Sequence, residues 1–184
     1  MNFFGFVLKT FGWKVSITAP DYPKMLICVA PHTSNWDFIL GKLAYAAVGR
    51  RAGFLMKSSW FFPPLGWIFK AIGGVPVKRT KGGPSLTQIL VSKFAASQRL
   101  VLAITPEGTR KRVTRWHTGF LHIAYEAGIP IELGIIDFGT KTIVIDTVFH
   151  PTGDVDADMA RIKSFYRAAA PRGKNHEQFS TDNP

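Results

Sequence analysis

The sequence predicts a single α/β domain built on a largely parallel, mixed sheet with helices on both faces. Short apolar runs rich in β-branched residues alternate along the chain with stretches whose apolar positions repeat at helical spacing. The connections between these segments are short, which is typical of parallel strands joined by crossover helices. A chain of 184 residues suits one hydrophobic core, so we expect residues 1–184 to form one domain.

The first half of the chain is organised around a buried strand. Residues 25–30 form a continuous apolar run, and Pro31 ends it because a proline cannot donate to a central ladder. Residues 13–18 alternate enough to form an edge strand, and residues 35–48 carry apolar side chains at helical spacing. Shorter segments follow, predicted as a strand at 54–56, a helix at 65–72 and a strand at 75–77.

The second half repeats the pattern and ends in a polar tail. An amphipathic helix is predicted at residues 85–97 and a buried strand at 100–104. A helix at 118–127 precedes two strands and a final helix, predicted at residues 131–136, 142–149 and 155–169. We expect the tail at residues 172–184 to be poorly ordered, because it is polar and terminal.

The amino-terminal residues 1–12 allow two interpretations. The segment combines a single charge, Lys9, with four phenylalanines: Phe3, Phe4, Phe6 and Phe11. One interpretation is an interfacial helix that lies in the headgroup region of an anionic membrane surface. The alternative is a terminal helix that docks on its own domain.

The composition predicts an anionic partner. The formal net charge is +11 and the pI is about 10.0, which suits an anionic membrane surface, a phosphorylated small molecule or nucleic acid. The single cysteine, Cys28, excludes an internal disulfide, and its place inside a predicted strand favours a core residue over a nucleophile. Uncharged stretches are shorter than the ~20 residues that span a bilayer, and the start lacks a secretory signal, so we expect a cytoplasmic protein.

Two interpretations also apply to His32 and Asp37, which flank the start of the predicted helix at 35–48. A carboxylate five positions after a histidine, folded back by the turn, can hold one ring nitrogen while the other accepts a proton. The same stretch is an S-x-x-D capping box, in which Ser34 and Asp37 would only satisfy the backbone at the helix start.

Polar residues follow four of the predicted strands. The strands end at His32, at Lys57, at residues 78–79 and at residues 107–110. Because the carboxyl ends of parallel strands share one edge of a sheet, a base, an acid and several cations are expected to converge there. This convergence favours a functional site over a simple helix cap.

These motifs resemble those of the 1-acylglycerol-3-phosphate acyltransferases, a family of glycerolipid acyltransferases. The family's H-x4-D signature is met by His32 and Asp37, and its P-E-G-T-R segment by residues 106–110. The resemblance covers about residues 25–135. Weaker matches are the glycine-to-arginine strand at 74–79, a block centred on Pro130 and a lysine segment at Lys57.

The resemblance implies a glycerolipid-acyltransferase-like fold and a reaction of phospholipid biosynthesis. A fatty acyl group passes from a thioester of acyl carrier protein or coenzyme A to the hydroxyl of a lysophospholipid such as 1-acylglycerol-3-phosphate. His32 is the implied general base and Asp37 orients it. Arg79 and Arg110 suit the acceptor phosphate, and Glu107 is expected to orient Arg110 or the glycerol hydroxyl. The implied substrate-binding residues are Lys57, Arg79, Glu107, Gly108, Thr109, Arg110 and Pro130.

The resemblance also implies partners and a location. No cofactor is needed, because the acyl thioester is a substrate. The expected partners are the acyl donor, the lysophospholipid and an anionic membrane surface, with the protein peripheral on the cytoplasmic face. A lyso-lipid acceptor without glycerol remains an alternative.

Two other function classes are not favoured by the sequence. A metal site is not expected, because the five histidines form no close pair with zinc-ligand spacing. A non-enzymatic nucleic-acid-binding module is not expected either. The cations are scattered over strand ends and the carboxyl terminus, and no recognised nucleic-acid motif is present.

Overall fold

A computed structural model of the protein describes residues 2–78, 82–113 and 115–181. Within them, the strands are β1 (Lys14–Ile17), β2 (Lys24–Val29), β3 (Gly53–Lys57), β4 (Gly74–Val77), β5 (Leu100–Ile104), β6 (Ile131–Asp137) and β7 (Thr142–Phe149). The α-helices are α1 (Phe3–Thr10), α2 (Asn35–Ala47), α3 (Leu65–Ala71), α4 (Leu86–Ala96), α5 (Gly119–Ala127) and α6 (Val155–Ala169). Short 3-10 helices lie at Ser58–Trp60 and His176–Gln178.

The strands form one seven-stranded sheet in the order β1-β7-β6-β2-β5-β3-β4. The strands β6, β2, β5, β3 and β4 are parallel to one another. The strand β7 runs antiparallel to β6, and β1 is parallel to β7. The predicted α/β class with a largely parallel, mixed sheet is therefore confirmed.

Helices cover both faces of the sheet, as predicted. Alternate side chains of the central strand β2 point to opposite sides, which is the two-residue period of a strand. Leu26 and Cys28 join the core beneath α4, α5 and α6, whereas Met25 and Ile27 pack with Tyr45 of α2. The helix α3 lies beside α2, since Nζ of Lys42 on α2 donates to the carbonyl of Ile72, the C-cap of α3, over 2.7 Å.

The amino-terminal helix docks on the domain and also keeps aromatic side chains in solvent. Leu8 is buried in a cluster with Leu40 of α2, and the side chain of Asn2 donates to the carbonyl of Ala46. The exposed fractions of Phe3, Phe6 and Phe11 are 73%, 58% and 68%. The structure thus contains features of both interpretations of residues 1–12.

The carboxyl-terminal tail is where the structure differs most from expectation. Residues 172–181 were expected to be poorly ordered, but they run back across the carboxyl edge of the sheet. The indole N–H of Trp116 donates to the carbonyl of Ser180 over 3.2 Å, and Phe179 packs against the core. Phe179 explains the difference, because it is an apolar side chain inside a polar segment and it packs against the core. Residues 182–184 lie outside the described residues.

The buried hydroxyl of Tyr166 ties α6 to the centre of the sheet. It donates to the carbonyl of Cys28 on β2 over 2.7 Å and lies 3.3 Å from the carbonyl of Gly134 on β6. We expect Tyr166→Phe to lower the free energy of unfolding by about 1–2 kcal/mol, because it removes the donor without opening a large cavity. Denaturant unfolding measures this change.

The matched control for that variant is Tyr125→Phe, at an exposed tyrosine on α5. It should change the free energy of unfolding by less than about 0.5 kcal/mol. Equal stability losses in the two variants would contradict the role given to the Tyr166 hydroxyl.

Candidate active site

The sheet brings together the ends of β2 and β5, which are adjacent and parallel. His32 follows β2 and Glu107 follows β5, seventy-five positions later in the chain. The backbone N–H of His32 donates to Oε2 of Glu107 over 2.7 Å. The two sequence motifs that were expected to converge are therefore in direct contact.

His32 and Asp37 form a dyad, and Asp37 also caps the helix. Nδ1 of His32 lies 3.3 Å from Oδ2 of Asp37. The same oxygen accepts the backbone N–H groups of Thr33 and Ser34 over 2.7 and 2.8 Å. The capping box of α2 is complete, so the capping interpretation is confirmed, and the same carboxylate also contacts His32. The catalytic role of the two residues stays a prediction.

The dyad has the exposure that proton transfer needs. The Asp37 side chain is 2% exposed, whereas that of His32 is 21% exposed. A buried carboxylate beside Nδ1 favours the tautomer with the proton on that nitrogen, which leaves Nε2 as the acceptor. The arrangement can take a proton from a group that approaches His32 from solvent.

Glu107 binds the backbone of His32 instead of the arginine that it was expected to orient. Its buried carboxyl accepts the His32 N–H, while Arg110 donates to the side-chain oxygen of Asn35 at the start of α2. Burial raises the pKa of Glu107 to about 8, and the nearby charge of Asp37 adds to this rise, whereas the hydrogen bond from His32 opposes it. Among the described residues, Oε1 of Glu107 has no hydrogen-bond partner.

Gly108 is required by both backbone conformation and packing. Its φ of +65° lies in the left-handed region that favours glycine. A Cβ at this position would lie 2.8 Å from Nε2 of His117. Thr109 follows, and its hydroxyl accepts the N–H of Lys111 over 3.3 Å. This tight turn directs Arg110 towards α2.

An open cleft of about 480 Å³ lies beside the dyad. Residues 33–35 form one wall and residues 109–111 form another, and these include the cations Arg110 and Lys111. The third wall comes from the carboxyl-terminal segment, through Asn175, Glu177 and Gln178. The cleft can therefore receive an anionic group next to the His32–Asp37 dyad.

Several backbone N–H groups of the site are already engaged. Those of His32, Thr33 and Ser34 donate to the carboxylates of Glu107 and Asp37. The N–H of Gly108 donates to the carbonyl of Thr105 over 3.1 Å. The positive end of the α2 dipole remains as a source of stabilisation for negative charge that develops beside His32.

The remaining predicted binding residues have different outcomes. Lys57 ends β3 and is exposed at the same edge of the sheet as the dyad. Pro130 is a correction, because it immediately precedes β6 and its carbonyl accepts the N–H of Leu26 near the start of β2. It is buried at the amino edge of the strands, roughly 15–20 Å of strand length from the site. Arg79 lies outside the described residues.

Sequence reasoning missed Asn35 and the carboxyl-terminal wall of the cleft. Asn35 is inside the H-x4-D motif, but nothing in the pattern indicates that its side chain accepts from Arg110. Residues 172–181 are polar, so apart from Phe179 their sequence gave no indication that they contact the site. Among the residues that the structure describes, no cluster of three or more His, Cys, Asp or Glu side chains could hold a metal ion.

A family model described as "Acyltransferase" matches residues 16–132, which is more than half of the chain. The chain belongs to the acyltransferase family. The match includes His32, Asp37 and the turn at residues 106–110. The carboxyl-terminal wall of the cleft lies beyond it.

The fold of this acyltransferase is similar to a solved structure. That structure is the crystal structure of the 1-acyl-sn-glycerophosphate (LPA) acyltransferase PlsC from Thermotoga maritima, with a TM-score of 0.60 and 16% sequence identity. The alignment covers 94% of this chain and 79% of that chain. At this level of identity the similarity concerns the fold. A search of curated proteins gives no significant match.

The raised pKa of Glu107 predicts a specific pH dependence of stability. Between about pH 4.5 and pH 8 the folded protein keeps a proton that the unfolded chain loses, so this group's stabilising contribution falls as pH rises. Glu107→Gln keeps an acceptor for the His32 N–H but does not titrate. Its free energy of unfolding, relative to wild type, should rise by up to about 1.4 kcal/mol per pH unit in this range.

Denaturant unfolding at a series of pH values tests this prediction. The control is Glu126→Gln, at an exposed glutamate on α5, which should follow the wild-type curve. A Glu107→Gln difference that stays flat across the range would show that Glu107 does not titrate as a buried carboxyl.

Proposed function

We propose that this acyltransferase moves a fatty acyl group from a thioester to the hydroxyl of a lysophospholipid such as 1-acylglycerol-3-phosphate. The observation that carries the proposal is the His32–Asp37 contact beside a cleft that contains Arg110 and Lys111. A base next to cations suits an alcohol substrate with an anionic headgroup. The family match supports the acyl-transfer chemistry.

The proposed reaction is direct transfer between the two substrates. Nε2 of His32 accepts the proton of the acceptor hydroxyl while the hydroxyl oxygen attacks the thioester carbonyl. Asp37 stabilises the imidazolium that forms, and general-base assistance of this kind contributes typically ~10²–10⁴-fold. The carbon–sulfur bond then breaks, the imidazolium protonates the leaving thiolate, and an ester and a free thiol remain.

Direct transfer is supported by the state of the single cysteine. Cys28 is fully buried inside β2, and burial raises the pKa of its thiol to about 12. A protonated, inaccessible thiol cannot carry an acyl group. Cys28 is therefore not an acyl carrier, and the proposed mechanism has no cysteine-bound acyl-enzyme. It needs no cofactor because the activated acyl group arrives as a thioester.

The acceptor headgroup is proposed to bind in the cleft. Arginine binds phosphate through two parallel hydrogen bonds. Arg110 donates to the side-chain oxygen of Asn35, which lies two residues before Asp37. This supports a phosphate-bearing acceptor. Acyl carrier protein and coenzyme A are both proposed donors, and a lyso-lipid without glycerol is the alternative acceptor.

We also propose that the protein is peripheral on the cytoplasmic face of the membrane. Among the described residues, no helix has the length and apolar character to cross a bilayer. The layer formed by α1, α2 and α3 carries exposed apolar side chains, which we call the aromatic face. Its members are Phe3, Phe6, Trp36, Ile39, Trp67 and Ile68, with Phe11 at the C-cap of α1.

The aromatic face lies beside the proposed active site. Trp36 is in the first turn of α2, one residue before Asp37, and α1 packs against the same helix. Lys42 of α2 donates to the carbonyl of Ile72 at the end of α3, which joins the third helix to this layer. Insertion of these aromatics into the headgroup region would bring the site to the bilayer surface, where lysophospholipids reside.

Product analysis with purified protein tests the proposed function. Palmitoyl thioesters of acyl carrier protein and of coenzyme A are each incubated with 1-acylglycerol-3-phosphate, with 1-acylglycerol and with a sphingoid lyso-lipid. We expect an acylated product and one free thiol per transfer, fastest with the phosphate-bearing glycerol acceptor. Thiol release without an acylated lipid would indicate a thioesterase and contradict the proposal.

Arg110 should contribute mainly to acceptor binding. We expect Arg110→Ala to raise the KM for 1-acylglycerol-3-phosphate roughly 10-fold or more, because it removes a charge-assisted phosphate contact. The KM for the thioester should change much less. Steady-state kinetics with each substrate varied in turn measure both values.

The matched control is Arg112→Ala, on the same loop and with the same change in charge, but outside the cleft lining. It should leave the KM of the acceptor close to the wild-type value. Equal increases in both KM values of Arg110→Ala would show that Arg110 has no preference for the acceptor.

The exposed phenylalanines of α1 should contribute to membrane binding. Replacing Phe3, Phe6 and Phe11 with serine removes apolar surface that the fold does not bury. We expect the triple variant to bind anionic vesicles at least about 10-fold more weakly in sedimentation, since each phenylalanine contributes on the order of 1 kcal/mol or more on burial.

Two further measurements control the vesicle experiment. Wild-type binding should be stronger on anionic than on neutral vesicles, and salt should partly reverse it, because cations near the surface add about 1 kcal/mol each. Tyr125→Ser, at an exposed aromatic on the opposite helix layer, should bind like wild type. Unchanged binding of the triple variant would remove α1 from the proposed membrane contact.

A further inference from the structure

Residues 171–181, which we call the strap, cross the carboxyl ends of β6, β2 and β5 after α6 ends. The crossing begins at β6, where the N–H of Arg172 donates to Oδ1 of Asp137 over 3.0 Å and its carbonyl accepts the N–H of Phe138 over 2.8 Å. At its other end, the strap contacts the loop that follows β5. There the N–H of Arg112 donates to the side-chain oxygen of Gln178 over 2.9 Å.

Between these two contacts, the strap binds Thr33 in the turn that follows β2. The backbone N–H of Asn175 donates to Oγ1 of Thr33 over 3.2 Å, and its side-chain amide donates to the Thr33 carbonyl over 2.9 Å. Gly173 packs so closely that a Cβ would lie 2.6 Å from Oγ1 of Thr33. Thr33 is buried as a result.

One peptide group connects the hydrogen bonds of Asn175 to the His32–Asp37 dyad. The peptide between Thr33 and Ser34 has its carbonyl held by the Asn175 amide and its N–H donated to Oδ2 of Asp37. The same Oδ2 lies 3.3 Å from Nδ1 of His32. Asn175 therefore fixes the group that holds the carboxylate oxygen facing the histidine.

We propose that Asn175 is a positioning residue for acyl transfer. Its side-chain amide fixes the Thr33–Ser34 peptide, which we call the clamp, and this peptide holds the Asp37 carboxylate against Nδ1 of His32. The residue lies beyond the part of the chain matched by the family model. The kinetic part of this proposal rests on the proposed function. The structural part, the orientation of the imidazole, does not.

The effect of losing the clamp follows from how transfer depends on alignment. Small displacements of a catalytic group can cost on the order of 100-fold in rate. Asn175→Ala removes one hydrogen bond from a turn that other contacts keep folded. We expect kcat to fall roughly 10–100-fold with the KM of the thioester close to wild type. The acceptor KM is not used as a control, because Asn175 also lines the cleft.

The experiment combines kinetics with an observation of the histidine itself. Wild type, Asn175→Ala and the control His176→Gln are compared for kcat, for both KM values and for melting temperature. His176 is the next residue of the strap and is exposed. Nitrogen-15 NMR of histidine-labelled protein then reports the tautomer of the His32 imidazole, which we expect to be protonated on Nδ1 in wild type and mixed in Asn175→Ala.

A second pair of variants tests the clamp from the other side. Thr33→Val removes the acceptor of the Asn175 N–H, and Thr33→Ser keeps it. The valine variant should show the lower kcat and the more mixed tautomer. If Asn175→Ala does not fold, this ordering decides the question.

The outcomes separate this proposal from the proposed function. Reduced kcat, an unchanged thioester KM and a mixed tautomer at wild-type melting temperature support positioning by Asn175. A wild-type imidazole spectrum in Asn175→Ala overturns it, and so does a change confined to KM. A wild-type protein without acyl transfer would overturn the proposed function alone, because the spectra would still test the clamp.

Discussion

The site depends on one carboxylate oxygen. Oδ2 of Asp37 contacts Nδ1 of His32 and accepts the N–H groups of Thr33 and Ser34. Three groups within five residues converge on this atom, which closes the turn after β2 and starts α2 at the same time. The helix cap and the proposed catalytic contact therefore use the same geometry. Under the proposed function, the identity of residue 37 is under two constraints, one on folding and one on chemistry.

Two neighbouring carboxyl groups of the site have different environments. Asp37 receives two backbone N–H groups and faces a histidine. Glu107 is buried with a single donor, and burial raises its pKa to about 8. The charge of Asp37 contributes to that rise. Asp37 thus contacts the imidazole of His32, whereas Glu107 binds the backbone N–H of the same residue.

Much of the fold could be predicted because each element has a strong local pattern. The central strand β2 is a continuous apolar run ended by Pro31, and α2 begins at a complete capping box. The parallel arrangement then placed His32 and Glu107 at one edge. Pro130 was assigned by resemblance alone, although its position before β6 puts it at the opposite edge by the same argument.

Contacts between distant segments could not be predicted in this way. Glu107 binds His32 and not Arg110 because of how the loop after β5 packs against the turn after β2. The strap is a sharper case, because Asn175 and Thr33 are separated by 142 positions and meet only once α6 has packed. No periodicity in the sequence encodes such a contact.

The central claim is that His32 removes the acceptor proton during acyl transfer. Single-turnover measurement with excess enzyme tests it most directly, by comparing wild type with His32→Ala under saturating thioester and 1-acylglycerol-3-phosphate. The account predicts a loss of at least about 100-fold in the transfer rate, with unchanged melting temperature and acceptor binding. A folded His32→Ala protein that transfers the acyl group at a near-normal rate would contradict it.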